Sequence, residues 1–204
     1  MNASQPLLLN IAATHPATQV LGPGWRAVAW VQGCPIHCAG CIAPDWIPFK
    51  PARLVTPADL AEELLADPRV SGLTFSGGEP MAQAAGLAEV ARLARQKREI
   101  NIICFSGYTL EVLQKARQHS GVSSLLACVD VLIDGPFIAA KNDNRGLRGS
   151  SNQRIHYLTD RLKGVDLDQS PRRAEVLVRG DEVMMVGVPP AALLETLGHP
   201  NTRK

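Results

Sequence analysis

Cys34, Cys38 and Cys41 lie within one eight-residue stretch, Cys-Pro-Ile-His-Cys-Ala-Gly-Cys, and account for three of the five cysteines. Thiolates separated by three and then two positions converge on one centre only when a metal or cluster gathers them, and no disulfide pairing uses all three. A structural zinc site is closed by four ligands, and a fully ligated four-iron cluster takes four cysteines. Three cysteines therefore point to an iron-sulfur cluster with one iron left open for chemistry. The alternative from the same residues is a zinc-binding interaction module, its fourth ligand being His37 or a more distant histidine.

A second group of residues sits where strands end. Gly72 to Phe75 reads as a short strand that delivers Ser76-Gly77-Gly78-Glu79-Pro80. Two glycines there let backbone approach a ligand without side-chain clash, although a bare Gly-Gly is also ordinary turn punctuation. Glu99 to Phe105 ends in Ser106-Gly107-Tyr108, and Val129 to Ile133 ends in Asp134-Gly135-Pro136-Phe137. A polar loop then runs to Arg148-Gly-Ser-Ser-Asn-Gln-Arg154, ahead of an apolar run from Ile155 to Leu158.

The elements that must position these residues alternate in period. Leu7 to Ile11 reads as an edge strand, and Trp25 to Val31 as a buried strand ending at the cysteine loop. Thr56-Pro57 is an N-cap followed by proline at the first helical position, with Leu60, Ala61, Leu64 and Leu65 forming one apolar stripe. A helix from about Met81 to Lys97 carries Leu87, Val90, Ala91 and Ala94 on one face, and Thr109 starts another that runs to about Gln118. Strands alternating with amphipathic helices predict parallel βαβ units, with the candidate ligand motifs at the C-terminal ends of the strands. Past residue 160, Ala174 to Val178 and Val183 to Val188 read as a hairpin turning at Gly180. Pro189 to Leu197 then reads as a short helix ended by Gly198.

The whole chain bounds the classes available. At 204 residues it fits one domain with a small appendage, and 21 Lys plus Arg against 19 Asp plus Glu demand neither nucleic acid nor an acidic membrane. No apolar run reaches membrane-spanning length and no charged leader precedes Leu7 to Leu9, so a cytoplasmic protein with reduced thiols is expected. Cys104 and Cys128 read as small buried hydrophobes without the company a second cluster needs, which predicts one cluster per chain.

The Cys-x3-Cys-x2-Cys spacing of Cys34, Cys38 and Cys41 resembles the signature of the radical S-adenosylmethionine (SAM) enzymes. Ser-Gly-Gly-Glu-Pro, about forty residues later, resembles that family's Gly-Gly-Glu motif. Gly22-Pro23-Gly24-Trp25-Arg26 is similar to the Gly-Pro-Gly-x-Arg of the glycyl-radical enzyme activases, with Leu21 where an acidic or polar residue is usual. Asp134-Gly-Pro-Phe137 followed by Arg148 to Arg154 resembles the second half of the activating proteins of anaerobic ribonucleoside-triphosphate reductase. Ile42 departs from the Tyr or His usual after the third cysteine, and Trp46 is a candidate lid in its place or a plain anchor.

The resemblance implies an α/β fold: a partial open (β/α) barrel of about five or six strands over residues 1–160, with the hairpin and short helix appended over 161–204. It also implies one four-iron four-sulfur cluster on Cys34, Cys38 and Cys41, and a SAM molecule cleaved to a 5′-deoxyadenosyl radical. Gly40, Cys41 and Ile42 would line that ligand. The backbone at Gly77 and Gly78 would receive its amino group beside Glu79, and Ser106, Tyr108 and Asp134 would make further contacts. Asn152 and Arg154 are candidates for the ribose or carboxylate, and like Asp134 could equally bridge strands. The implied partners are a glycyl-radical enzyme such as class III ribonucleotide reductase and a flavodoxin- or ferredoxin-type reductant. Within the same superfamily the alternative is a maturase acting on another protein, peptide or small substrate.

Overall fold

Strands covered on both faces read as near-continuous apolar runs. Four such runs form the centre of the sheet in the computed structural model, which describes residues 6–116, 121–180 and 182–197. The strands are β1 (Leu9–Thr18), β2 (Trp25–Val31), β3 (Arg53–Val55), β4 (Val70–Gly77), β5 (Asn101–Ser106), β6 (Val131–Asp134) and β7 (Arg154–Tyr157), in spatial order β3-β1-β2-β4-β5-β6-β7. Pairing is parallel from β2 through β4 and β5 to β6, and antiparallel at β1–β2, β1–β3 and β6–β7.

Two expectations are corrected. The strand beginning near Leu7 is not at the edge, because Arg53–Val55 pairs with Leu9–Ile11 and takes that place. A three-residue strand between prolines has no periodicity to announce it; its partner lies some forty residues away. The main sheet accordingly has seven strands rather than five or six. It is a mixed sheet, and among the described residues no ladder joins β3 to β7.

Period-two alternation explains how both faces are filled. On β2, Ala27, Ala29 and Val31 enter one core while Val28 and Trp30 enter the other. On β5, Ile102 and Cys104 face the first core and Ile103 the second; on β6, Leu132 faces the first while Val131 and Ile133 face the second. The first core is roofed by helices. These are α1 (Pro57–Leu64), α2 (Ala84–Lys97), α3 (Leu110–Lys115) and α4 (Val122–Cys128). Thr56 caps α1 by accepting from the Asp59 amide at 3.2 Å, and Leu60, Ala61 and Leu64 are buried beneath it. Pro80–Gln83 forms a 3-10 turn ahead of α2, so the regular helix starts three residues later than its apolar stripe suggests. The stretch expected to extend α3 to Gln118 lies outside the described residues, and α4 was not anticipated from its short apolar run.

The second core is roofed differently, by the irregular chain after β6 and by the C-terminal hairpin β8 (Ala174–Arg179) and β9 (Glu182–Gly187). Val186 is fully buried there. Glu175 accepts from the Thr18 hydroxyl at 2.7 Å and stands 3.5 Å from His15 Nε2, tying β8 to β1. The helix α5 (Ala191–Leu197) follows; Gly198, expected to end it, lies outside the described residues. Among the described residues no helix is long and apolar enough to cross a membrane.

Candidate functional site

The C-terminal ends of β2, β4, β5 and β6 lie on one edge of the sheet, because those strands are parallel. Each releases one of the motifs singled out above: the cysteine loop after Val31, Gly-Gly-Glu at the end of β4, Ser-Gly-Tyr at the end of β5, and Asp-Gly-Pro-Phe at the end of β6.

The cysteine loop is anchored at its root. Gly33, at φ +98°, donates to the Trp46 carbonyl at 2.8 Å, and the Cys34 amide donates to Ile47 at 2.9 Å. The loop then turns through His37 and Gly40, both at positive φ, and Ile36 packs onto Gly107 at the end of β5. The Gly-Gly turn docks on that root backbone to backbone. The Gly78 amide donates to Val31 at 2.7 Å and the Glu79 amide to Gly33 at 2.9 Å. A Cβ at Gly78 would fall inside the contact radius of the Gly33 carbonyl oxygen, and one at Gly77 would lie 2.5 Å from the Val31 nitrogen. Only glycine permits this approach.

Glu79 reaches the other way. Its side chain is 1 % exposed, and its carboxylate accepts from the Met81 amide at 2.9 Å, the Ser106 hydroxyl at 2.9 Å and the Gly107 amide at 2.8 Å. Burial raises its pKa to about 7 against these hydrogen bonds, which favour the charged form. The carboxylate thus clamps the ends of β4 and β5. The Ser106 hydroxyl also accepts from the Tyr108 amide at 3.1 Å.

One cavity of about 660 Å³ opens between these turns, a size that suits a ligand larger than an amino acid. Of the residues expected at the site, Cys34, Cys38, Gly40, Cys41, Ile42, Gly77, Gly78, Glu79 and Ser106 line it. Tyr108 and Asp134 do not. The Tyr108 ring packs, partly buried, against the helix-side core. Asp134 is fully buried and accepts from Leu110 at 2.6 Å and from Arg154 at 2.7 and 3.1 Å, with His156 Nε2 at 3.0 Å. Burial alone would raise the Asp134 carboxyl, but Arg154, the Leu110 amide and His156 outweigh it and hold it low. Arg154 also pairs with Glu111 at 2.7 Å, and Asn152 donates to the Pro136 carbonyl at 2.8 Å. These three residues knit β6, β7 and α3 together, which is the strand-bridging geometry.

Sequence reasoning missed most of the apolar wall. Trp30, Phe105 and Phe137 line the cavity with Trp46, and the two indoles stand 5.6 Å apart at 37°. Trp30 and Phe105 were legible in principle, being the last residues on the inner face of β2 and β5. The residues contributed from beyond β7, among them Arg172, Val188 and Leu194, had no signal in the sequence.

The three thiols fit a cluster with an open iron. All are free, partly buried and directed to the same cavity. Burial raises Cys34 and Cys41, the neighbouring backbone amides of Ile36 and His37 (for Cys34) and Ala43 (for Cys41) opposing it, so metal loading must displace protons. Among the described residues no three His, Cys, Asp or Glu side chains are gathered as a single ion would need. A four-iron cluster spreads its three ligands over separate irons. The aromatic wall suits an adenine, and the Gly-Gly turn suits a polar amino-acid end.

The family of 4Fe-4S single cluster domains matches residues 20–156. An anaerobic ribonucleoside-triphosphate reductase-activating protein of Vibrio cholerae is 34% identical over 161 residues, covering 74% of this chain and 99% of that protein. This chain belongs to the radical SAM glycyl-radical enzyme activases. The phage T4 protein of the same name is 30% identical over 159 residues, covering 74% of this chain and 96% of that protein. A pyruvate formate-lyase-activating enzyme of Clostridium pasteurianum is 30% identical over 104 residues, 48% of this chain and 44% of that enzyme. Membership makes the protein an enzyme with a 4Fe-4S cluster and SAM as cofactors, and sets aside the zinc module.

Proposed function

We propose that the protein activates a glycyl-radical enzyme, most directly an anaerobic ribonucleotide reductase, by removing a hydrogen atom from a backbone glycine of that partner. One observation carries the reading: thiols and a Gly-Gly turn some forty residues apart are joined backbone to backbone, through Gly78 to Val31 and Glu79 to Gly33, around a single cavity. The names of the relatives supply the partner.

Cys34, Cys38 and Cys41, which line the cavity, would ligate the cluster and leave one iron without a protein ligand. The bound pair supplies one-electron reductive cleavage of the sulfonium to methionine and a 5′-deoxyadenosyl radical. The protein's own part is to bind, orient and exclude. Both amides of the Gly78-Glu79 turn are already donated, to Val31 at the end of β2 and to Gly33 at the root of the cysteine loop. An ammonium group, which only donates, would therefore be met by carbonyl oxygens of that turn. Gly40, Cys41 and Ile42 would border the ligand on the loop side, and Trp30, Trp46, Phe105 and Phe137 would enclose its apolar face and keep water from the reactive carbon. Glu79 accepts from Ser106 and from the Met81 and Gly107 amides, and this clamp would hold the turns of β4 and β5 in register.

To the same proposal belong the partial-barrel description of the sheet, the division at residue 160 into a radical SAM core and an appended hairpin with helix, a flavodoxin- or ferredoxin-type electron donor, and a cytoplasmic site of action. The deciding experiment is anaerobic: reconstituted protein with dithionite and SAM should form 5′-deoxyadenosine and methionine. Adding the reductase should yield a glycyl radical signal by electron paramagnetic resonance. Cleavage without that signal on any reductase would retire the partner, and no cleavage at all would retire the activity.

A further inference from the structure

Arg172 lies beyond residue 156, where the family match ends, in the irregular chain before β8. Among the described residues it is the one Lys or Arg on the cavity wall. No carboxylate pairs with it directly, although Glu79 and Glu195 share the cavity wall. Nη1 donates to Asn142 Oδ1 at 2.7 Å, and Nη2 donates to the carbonyls of Arg148 and Gly149 at 2.6 and 3.1 Å. All three acceptors are neutral. The buried Nε has no hydrogen-bond partner, and no Asp or Glu among the described residues forms an ion pair with this guanidinium. The acidic groups nearest in the chain are engaged elsewhere: Asp143 and Asp168 both pair with Arg148, at 2.8 and 3.1 Å. Burial lowers the Arg172 pKa, Asp143 opposing that and Arg148 adding to it.

A cation half withdrawn from water is ordinarily paired. Here neutral acceptors take both Nη2 hydrogens and one Nη1 hydrogen, which leaves the second Nη1 hydrogen and the net positive charge at the wall of a cavity that is otherwise mostly apolar. Carboxylates and phosphates are the anions a guanidinium recognises by charge-assisted hydrogen bonds, and SAM carries a carboxylate and no phosphate. We propose that Arg172 is the carboxylate-recognition residue of this cavity, contributed by the segment outside the family match. Resting on the activase reading, the inference allows two sources for that one chemistry: the α-carboxylate of SAM, or an acidic side chain on the partner segment that enters the mouth.

Equilibrium binding to the anaerobically reconstituted holoprotein separates them. SAM and decarboxylated SAM, which keeps the sulfonium and lacks the carboxylate, are titrated into the unsubstituted protein, R172Q, R172K and R173Q. If SAM supplies the carboxylate, R172Q weakens SAM about tenfold or more and leaves the decarboxylated analogue unchanged. R172K recovers part of the loss, and the exposed neighbour substitution R173Q costs nothing. If the partner supplies it, all four proteins bind SAM alike, and the partner concentration needed for half-maximal glycyl radical yield rises about tenfold in R172Q. R172Q matching the unsubstituted protein in both assays overturns the proposal. Should R172Q fail to fold, R172K carries the comparison, because it keeps a charge but loses the guanidinium's fixed hydrogen bonds; equality with the unsubstituted protein in both assays is then the overturning result. Failure of the unsubstituted protein to bind SAM overturns the activase reading, and this inference with it. Normal binding that R172Q leaves untouched, together with an unchanged partner requirement, overturns only Arg172.

Discussion

The two ends of the parallel strands use the same ingredients to opposite effect. At the C-terminal end, Gly77 and Gly78 bring backbone against backbone and Glu79 is buried beside them; at the other end, Gly22 and Gly72 admit the side chain of Arg26. Arg26 is fully buried. Its guanidinium donates to Thr74 at 2.7 Å, to the Pro23 carbonyl at 3.3 Å, and to the Leu73 carbonyl and the Asn101 side chain. Burial lowers its pKa to about 9, which leaves it charged at neutral pH. Every donor direction is consumed by groups on β4, β5 and the preceding turn, so that end is a plug. The Glu79 carboxylate is spent on neighbouring turns, and Gly77 and Gly78 beside it line an open cavity. The Gly-Pro-Gly-x-Arg motif is therefore explained by closure of the sheet's base, whereas Gly-Gly-Glu is explained by opening at its top. A buried charge marks a chemical site only where its neighbours leave groups free for a ligand.

Substitutions at the two ends should separate accordingly. The largest effect is expected from Cys34→Ser, which should lower iron from about four per chain toward none and abolish SAM cleavage while circular dichroism stays unchanged. Gly78→Ala forces a methyl against the Gly33 carbonyl. It should cost about 2–3 kcal/mol in urea unfolding and remove most cleavage from whatever protein folds. Arg26→Met at the plug should destabilise by a similar or larger amount, about 3–4 kcal/mol, by orphaning several buried acceptors. Material that survives it should still bind SAM within about threefold of the unsubstituted protein. Equal losses of binding at both ends would erase the distinction.

Glu79 sharpens the contrast through pH. Its folded pKa of about 7 lies above the ordinary 4.5, so the folded state holds a proton that the unfolded state has released between those values. Its contribution to stability is fully present below pH 4.5 and is lost as pH rises toward 7, by roughly 3 kcal/mol. Glu79→Gln, which does not titrate, should be the less stable protein at pH 5 and should gain relative to the unsubstituted chain by pH 8. A pH-independent difference would show that the clamp is ionised throughout. The smallest effect is expected at Tyr108, whose ring lies off the cavity wall. Tyr108→Phe should leave the rate of 5′-deoxyadenosine formation within about twofold, a difference under about 0.5 kcal/mol.

Spacing along the chain was enough to identify the cysteine loop, the Gly-Gly turn and the four central strands, because each is specified by neighbours a few residues away. The thiol count points to a bound metal or cluster, and parallel pairing follows from strands alternating with helices, so the edge that carries the candidate site was legible from the sequence. The strand Arg53–Val55 was not, since three residues between prolines acquire strand geometry only from pairing with β1. Asp134, Asn152 and Arg154 stood in a motif whose residue types suit ligand binding and strand bridging equally, and only their partners separate the two. The same holds for Arg172 and the aromatic wall. Which side chains share a cavity depends on contacts between segments far apart in sequence, and those contacts are settled by the packing of both faces of the sheet at once, not by any local pattern.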